Sequence, residues 1–213
     1  IGTDYDIFVA RSTNPIAGWT AVTYLNTNAP GTPVQDDFPS IATDGAGNWV
    51  AIWRSKNDLS GGTRADFDML YAVSTNNGLT WTTPADLNTD AGTDVGSNGN
   101  AELAANAAGV FRAVWQTEAF TAPGAVKDLV AAAFVSGGAG WTNPVLVNSG
   151  EQGDLAAEDA FPMIESSRDG AWVVVWHSDD AVVAGVTVST DQDILTNGLD
   201  CEVCDDGNTI SGD

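Results

Sequence analysis

An all-β fold of repeated four-stranded antiparallel units, a β-propeller with about three and a half blades present, is what this sequence predicts. Three observations carry that expectation. Trp53, Trp115 and Trp176 recur 62 and 61 residues apart, inside the related segments 49–55, 111–117 and 172–178. A second series, Trp19, Trp81 and Trp141, keeps step at 62 and 60. Between them run short apolar stretches punctuated by glycine and asparagine turns, and no stretch offers a capped amphipathic helix. A fixed period means one supersecondary unit copied along the chain, each copy burying its apolar face on the next. Stacked sandwiches of four-stranded sheets are the alternative architecture.

The elements follow in order. Residues 6–12 and 19–26 are strands three and four of a first copy. In the second copy, 38–43 is a first strand ended by the turn Asp44-Gly45-Ala46-Gly47-Asn48. Residues 49–55 form the second strand, 56–65 a polar loop and 68–74 the third strand. Asn76-Asn77-Gly78 is a tight turn, because Asn and Gly tolerate positive φ, and 81–88 is the fourth strand. Strands two and three are nearly continuous apolar runs, the pattern of strands buried on both faces. The third copy repeats the order through 100–106, Trp115, 128–136 and 141–148. The fourth starts at 161–164, turns at Arg168-Asp169-Gly170, passes Trp176 and fades after 182–190, so the chain is expected to end on strands one and two. A six- or seven-bladed ring would need more blades than these.

The 213 residues, 43% hydrophobic, suffice for one sizeable core. A formal charge of −22, from 29 acidic and 7 basic residues, repels nucleic acid and anionic membranes. No stretch approaches the length of a membrane span. Such a charge suits soluble, salty or calcium-containing surroundings; solubility alone also accounts for it. The start, Ile1-Gly2-Thr3-Asp4, has neither the basic nor the apolar region of a signal peptide, and it falls inside a repeat, so a mature fragment is expected.

Ser74-Thr75-Asn76-Asn77-Gly78-Leu79-Thr80-Trp81 resembles the Asp-box of sialidase-like (BNR repeat) β-propellers, Ser-x-Asp-x-Gly-x-Thr-Trp, with Asn76 where that family usually has Asp. The lead-ins 68–74 and 6–12 resemble the family too. The other boxes are degraded: Ser12-Thr13-Asn14 lacks the regular spacing, 136–141 lost the acidic position, and Ser189-Thr190-Asp191 diverges. The resemblance covers 1–198. It implies that Ser74, Asn76, Gly78 and Trp81 close a turn between strands three and four, on the face opposite the ligand site. The tail 199–213, with Cys201-Glu202-Val203-Cys204-Asp205-Asp206-Gly207-Asn208, resembles the start of a cysteine-rich repeat of secreted bacterial proteins. A disulfide framework completed beyond residue 213 is expected from it. A redox pair or half a zinc site also fits Cys-x-x-Cys, though no βαβ context and no second ligand pair accompany it.

No catalytic residue is assigned. Sialidase chemistry needs three arginines on a carboxylate, a Tyr/Glu nucleophile pair and an acid/base aspartate, and Arg11, Arg54, Arg64, Arg112 and Arg168 sit in no matching motif. His177-Ser178-Asp179 is adjacent in sequence, which a triad does not require, and no nucleophile elbow accompanies it. The residue after each shared Trp is more informative: Arg54, Gln116 and His177. With the acidic blade-joining loops they would gather at the channel mouth, where Asp36, Asp37, Asp94, Glu158 and Asp159 form either a solvated rim or a cation- or ligand-binding surface. Asp4/Asp6 and Asp66/Asp68 are Asp-x-Asp pairs that suit calcium, or turn-amide bonding. The expected role is a secreted or cell-surface recognition or scaffold module for a glycan or an extracellular protein. A sialidase-related glycoside hydrolase, and a subunit that self-associates or joins missing blades through 6–12 or 173–178, are the alternatives.

Overall fold

The computed structural model describes residues 4–14, 16, 18–26, 34–60, 62–89, 91, 96–118, 127–138, 140–147, 158–167, 170–178, 182–183, 186–187 and 193–196, with backbone alone beyond 178. Among them every regular element is a strand and every pairing is antiparallel. A first unit holds β1 (Phe8–Val9) and β2 (Thr23–Tyr24). A second is the sheet β3 (Asp36–Thr43), β4 (Trp49–Asn57), β5 (Thr63–Ser74) and β6 (Ala85–Asp86), in that order. The third repeats it with β7 (Asn98–Ala105), β8 (Val110–Thr117), β9 (Asp128–Val135) and β10 (Val145–Leu146). The fourth contains β11 (Asp159–Ser166) and β12 (Trp172–Ser178), then a small hairpin of β13 (Val182–Val183) and β14 (Val186–Thr187), then β15 (Asp193–Thr196), which pairs with β12.

β15 corrects the expected end on strands one and two. Ser55 faces Asp68, Thr117 faces Asp128 and Ser178 faces Asp193, so Asp193 opens a third strand in the shared register. The β13–β14 hairpin lengthens the preceding loop and puts this strand out of step with the repeat. Ser189, Thr190 and Asp191 lie outside the described residues and ahead of β15, whereas a box follows its third strand. Both edges of β12 are occupied within the chain, by β11 and β15. β1 pairs with β2 alone among the described residues. The tail 199–213 lies outside them.

The strands pack on both faces, which is why they lack alternation. In β4, Val50 and Ile52 join a core with Leu103, Phe111 and Trp115 of the third unit, while Ala51 and Trp53 join Ile7 and Leu25 of the first. In the third unit, Val114 and Leu129 turn to Ile164, Val174 and Trp176 of the fourth. Each tryptophan of the first series therefore faces the preceding unit. A buried indole removes about 150–250 Å² from water, on the order of 4–6 kcal/mol before conformational entropy is charged.

In this series each buried indole N–H also finds an acceptor, whereas those of Trp49, Trp81 and Trp141 have none among the described residues. Trp53 donates to Asp36 at 3.1 Å, Trp115 to Asn98 at 2.9 Å and Trp176 to Asp159 at 2.9 Å, each acceptor 17 residues upstream. A second clasp repeats beside the third strands. The backbone N–H of Ile7 and Met69 donate to Asn26 and Asn88, whose amide groups donate to Asp6 and Asp68. At the opposite end of the second unit, Ser74 Oγ accepts the Gly78 N–H at 2.9 Å and Asn76 Oδ1 accepts the Thr80 N–H at 2.9 Å. Asn76 thus makes the turn bond that an Asp would make. Gly78 at φ 74° and Asn77 at φ 58° take the left-handed conformations the turn demands.

Candidate functional site at the starting end of the first strands

β3, β7 and β11 start at one end of the stacked sheets, and each carries a bulge there. The register shifts between Asp37 and Ser40, between Gly99 and Glu102, and between Ala160 and Met163. At each bulge one non-glycine residue is left-handed: Phe38 at φ 51°, Asn100 at 46° and Phe161 at 50°. Bulky residues pay for that conformation, and a bulge re-aims its side chain. Here it directs each one against the residue that follows the shared tryptophan.

The first of these stations is the most built. Arg54 binds Asp37 through two hydrogen bonds, 2.5 Å from Nε and 3.1 Å from Nη2. Its guanidinium lies 4.5 Å from the Phe38 ring centroid and 4.1 Å from that of Phe67. A planar cation between two ring faces is held by their quadrupoles as well as by the carboxylate. Nη1, which has no acceptor among the described residues, points at Gly99 of the next unit, where an added Cβ would stand 3.4 Å away. Lys56 Nζ lies 4.8 Å from the Phe67 centroid. At the second station the Asn100 amide donates to Gln116 Oε1, and Gln116 Nε2 reaches the Asp159 carbonyl at 3.3 Å. At the third, Phe161 meets His177 edge-on at 5.1 Å. Ser40 ties neighbouring first strands together, donating to Glu102 and accepting the Leu103 N–H at 3.2 Å.

The structure brings Asp37, Arg54, Gln116 and His177 to this end. Asp36 and Asp159 are in the same strands but buried behind their tryptophans, so they are clasps within the units and not rim carboxylates. Glu158 pairs with Lys127. Asp94 lies outside the described residues. Of the Asp-x-Asp pairs, Asp4 is half-buried and Asp6 holds Asn26. Asp68 is buried against Asn88 and Arg64, and Arg64 also grips Asp86 at 2.8 Å. Burial pushes the Asp68 carboxyl above its ordinary value, against the opposing pull of Asn88 and Arg64. Asp66 is half-buried, with Oδ2 unpartnered among the described residues. No group of three or more His, Cys, Asp or Glu side chains is gathered for a metal among them.

Phe38, Phe67, Asn100 and Phe161 individually carry no mark of a site role in the sequence taken alone. Phe38-Pro39 and Phe161-Pro162 share the repeat position with Asn100, and that coincidence was the available signal. The described arginines have separate partners. Arg54 and Arg64 are both at the starting end but held by different carboxylates, Asp37 and the Asp68/Asp86 pair, while Arg112 lies over Trp172 and Arg11 donates to the Asn77 carbonyl. Tyr71 packs on Phe134 and Trp141, while Tyr5 and Tyr24 are exposed. At the far end a cleft of about 640 Å³ lies between the first and second units, lined by Arg11, Trp19, Ile41, Trp49 and Trp81 among others.

No protein-family model matches the chain, and no curated protein matches it. Among solved structures, it is similar to the Hadza microbial sialidase Hz136, at 14% identity over 76% of this chain and 35% of that one, with a TM-score of 0.50. It is also similar to an inulosucrase from Halalkalicoccus jeotgali bound to kestose, at 13% identity, 85% and 54% coverage and a TM-score of 0.48. A third is Zg3597, a family 117 glycoside hydrolase produced by the marine bacterium Zobellia galactanivorans, at 11% identity, 91% and 58% coverage and a TM-score of 0.48. The chain spans about a third of the sialidase and little more than half of the other two. At such identity the likeness to the sialidase speaks for the fold alone: an all-β, antiparallel arrangement of the kind found in carbohydrate-active propellers.

Proposed function

We propose that this chain is part of a sialidase-like propeller, about three and a half blades of a six- or seven-bladed ring, and that it serves as a non-catalytic recognition or scaffold module. In this proposal it works outside the cell or at its surface and presents the starting end of the first strands to carbohydrate. One observation carries the choice of recognition over catalysis. That end presents exposed aromatic rings, Phe38 beside an arginine already engaged by Asp37 and Phe161 against His177. Among the described residues the arginines are held by separate partners, Tyr71 and Tyr24 pack on other aromatic rings and Tyr5 is exposed, and none of them forms a carboxylate clamp or a Tyr/Glu pair. Exposed rings suit sugar faces, which are apolar on one side and ringed by hydroxyls.

Two assays on the purified chain test the proposal. A fluorogenic sialoside should remain uncleaved, and glycan binding should be lost on Phe38→Ala and Phe161→Ala together. Hydrolysis abolished by changing a single arginine would favour the alternative, a sialidase-related hydrolase. A structural subunit is the second alternative, favoured by the exposure of Val173 on the last described face of the stack and of Ile41 where the first unit leaves the second partly uncovered. Light scattering tests it, since a strictly monomeric, well-folded chain speaks against assembly. Calcium held by the remaining aspartates also belongs to the proposal. A rise in melting temperature at millimolar calcium supports it; an unchanged melt leaves those carboxylates to their hydrogen bonds.

A further inference from the structure

We infer that the three bulge stations, Phe38/Arg54, Asn100/Gln116 and Phe161/His177, form one binding strip for an uncharged, chain-like glycan and discriminate against acidic sugars. The inference rests on the mouth described under the proposed function and adds the class of ligand.

Continuity comes first. The stations occupy one repeat position on three successive first strands. Those strands adjoin through Ser40 with Glu102 and Leu103, and through Gln116 with the Asp159 carbonyl. Sheets stack about 10 Å apart, so two steps from Phe38 to Phe161 span at most roughly 20 Å. An extended oligosaccharide covers that distance; a single sugar does not.

The chemistry of the strip is aromatic, amide, aromatic. Phe38 is 53% exposed and Phe161 61%, both held in strained backbone that keeps them at the surface. Between them Asn100 Oδ1 has no donor among the described residues, leaving an acceptor for a hydroxyl. Arg54 Nη1 is likewise left as a donor beside the Phe38 ring. Stacking faces with single amide-like donors and acceptors match a neutral sugar chain.

Charge decides the class. The cations described at this end already have partners: Arg54 has Asp37 in two-point contact, Arg64 has Asp68 and Asp86, and Lys127 has Glu158. Lys56 gives its ammonium to the Ala65 carbonyl and the Phe67 ring. An acidic sugar that reached the remaining Nη1 would meet a guanidinium whose charge Asp37 already balances, and it would approach a chain of net charge −22.

The test uses the full chain on an array of matched glycans, neutral xylo- and gluco-oligosaccharides beside uronic-acid and sialylated counterparts. Neutral chains should bind in preference to their acidic partners, with affinity rising from two to six sugar units. Phe38→Ala and Phe161→Ala should each weaken binding about tenfold, the order expected for one aromatic contact. Asp37→Asn, which frees Arg54, should raise the response to acidic glycans; Glu158→Gln does the same through Lys127 at an exposed pair where folding is not at stake. Tighter binding of acidic partners by the unaltered chain overturns the inference and leaves the mouth in place. Neutral binding that survives both phenylalanine changes but is lost with Trp19→Ala moves the site to the far cleft and overturns both. Silence across the array also overturns both.

Discussion

Ile41 and Leu103 hold the same repeat position on β3 and β7, yet Ile41 is 52% exposed and Leu103 7%. Leu103 lies under the sheet of the second unit, in one core with Val50 and Ile52. Ile41 looks toward a first unit whose described strands are β1 and β2 alone. The mirror case is at the other end of the stack. Val50 is fully buried against the third unit, and its counterpart Val173 is 51% exposed. The residue type is apolar at all four positions, so the pattern prepares every unit to be covered on both sides. Whether a given copy is covered depends on its neighbour. In a stack of repeats each interface is an energetic term of its own; among the described residues the interface with the first unit is filled around Ala51 and Trp53 but open at Ile41, and the face of the fourth unit at Val173 is uncovered.

The comparison can be broken by mutation, and the largest effect is expected at its centre. Trp115→Ala should cost about 3–5 kcal/mol, since it empties a fully buried site and leaves Asn98 without its indole partner. Urea denaturation reads this directly; a loss below about 1 kcal/mol would mean that the inner interface is not what holds the chain together. Next comes the matched pair. Leu103→Ala should cost about 2–5 kcal/mol, and Ile41→Ala within about 0.5 kcal/mol, as for an exposed position. Equal losses would show that something covers Ile41 in solution, and the comparison would become one between two buried sites.

The clasp comes third. Asp36→Ala removes the acceptor of the buried Trp53 indole and of Asn26, and should cost about 1–3 kcal/mol. Asp36→Asn keeps an acceptor, as Asn98 does naturally, and should recover much of the loss. Failure of that rescue would argue that the negative charge matters at this site.

The smallest effect is in the pH profile of stability. The Asp68 carboxyl is raised above 3.8 by burial, so its contribution is fully present below 3.8 and is lost as pH rises through the folded value. Asp44 behaves oppositely. Slight burial opposes its charge, yet the Asn48 amide group and the backbone N–H of Ala46 and Asn48 hold its carboxyl below 3.8. Its contribution is present above 3.8 and is lost as pH falls through the folded value. Urea midpoints across pH 2–6 should therefore lose a feature above about 3.8 in Asp68→Asn and one below it in Asp44→Asn. A profile unchanged in either variant removes that group from the account.

Much of the fold was legible because burial on two faces leaves a strong trace. The runs around Trp53 and Trp115 are apolar without alternation, and the box turn at Ser74–Trp81 announces itself by residues that tolerate positive φ. The third strand of the fourth unit is not legible in the sequence because it begins only at Asp193, after an inserted hairpin, where no period points. The site was legible by half. The change from Arg54 to Gln116 to His177 in a constant frame marked one side of each station. Phe38 and Phe161 look like ordinary strand phenylalanines in one dimension, and only the bulge turns them outward. Asp36 and Asp159 were misplaced for the converse reason: an acidic residue at a strand entry reads as exposed, and its partner tryptophan lies 17 residues away.

By itself the sequence determined the period, the strand content, the turn chemistry and the acidic field, because each rests on local composition or on spacing along the chain. Tertiary structure decided which carboxylates are clasps, which cations are already neutralised, and which apolar faces are left open. Those depend on what a neighbouring unit places within a few ångströms, and a side chain carries no record of that in its own identity.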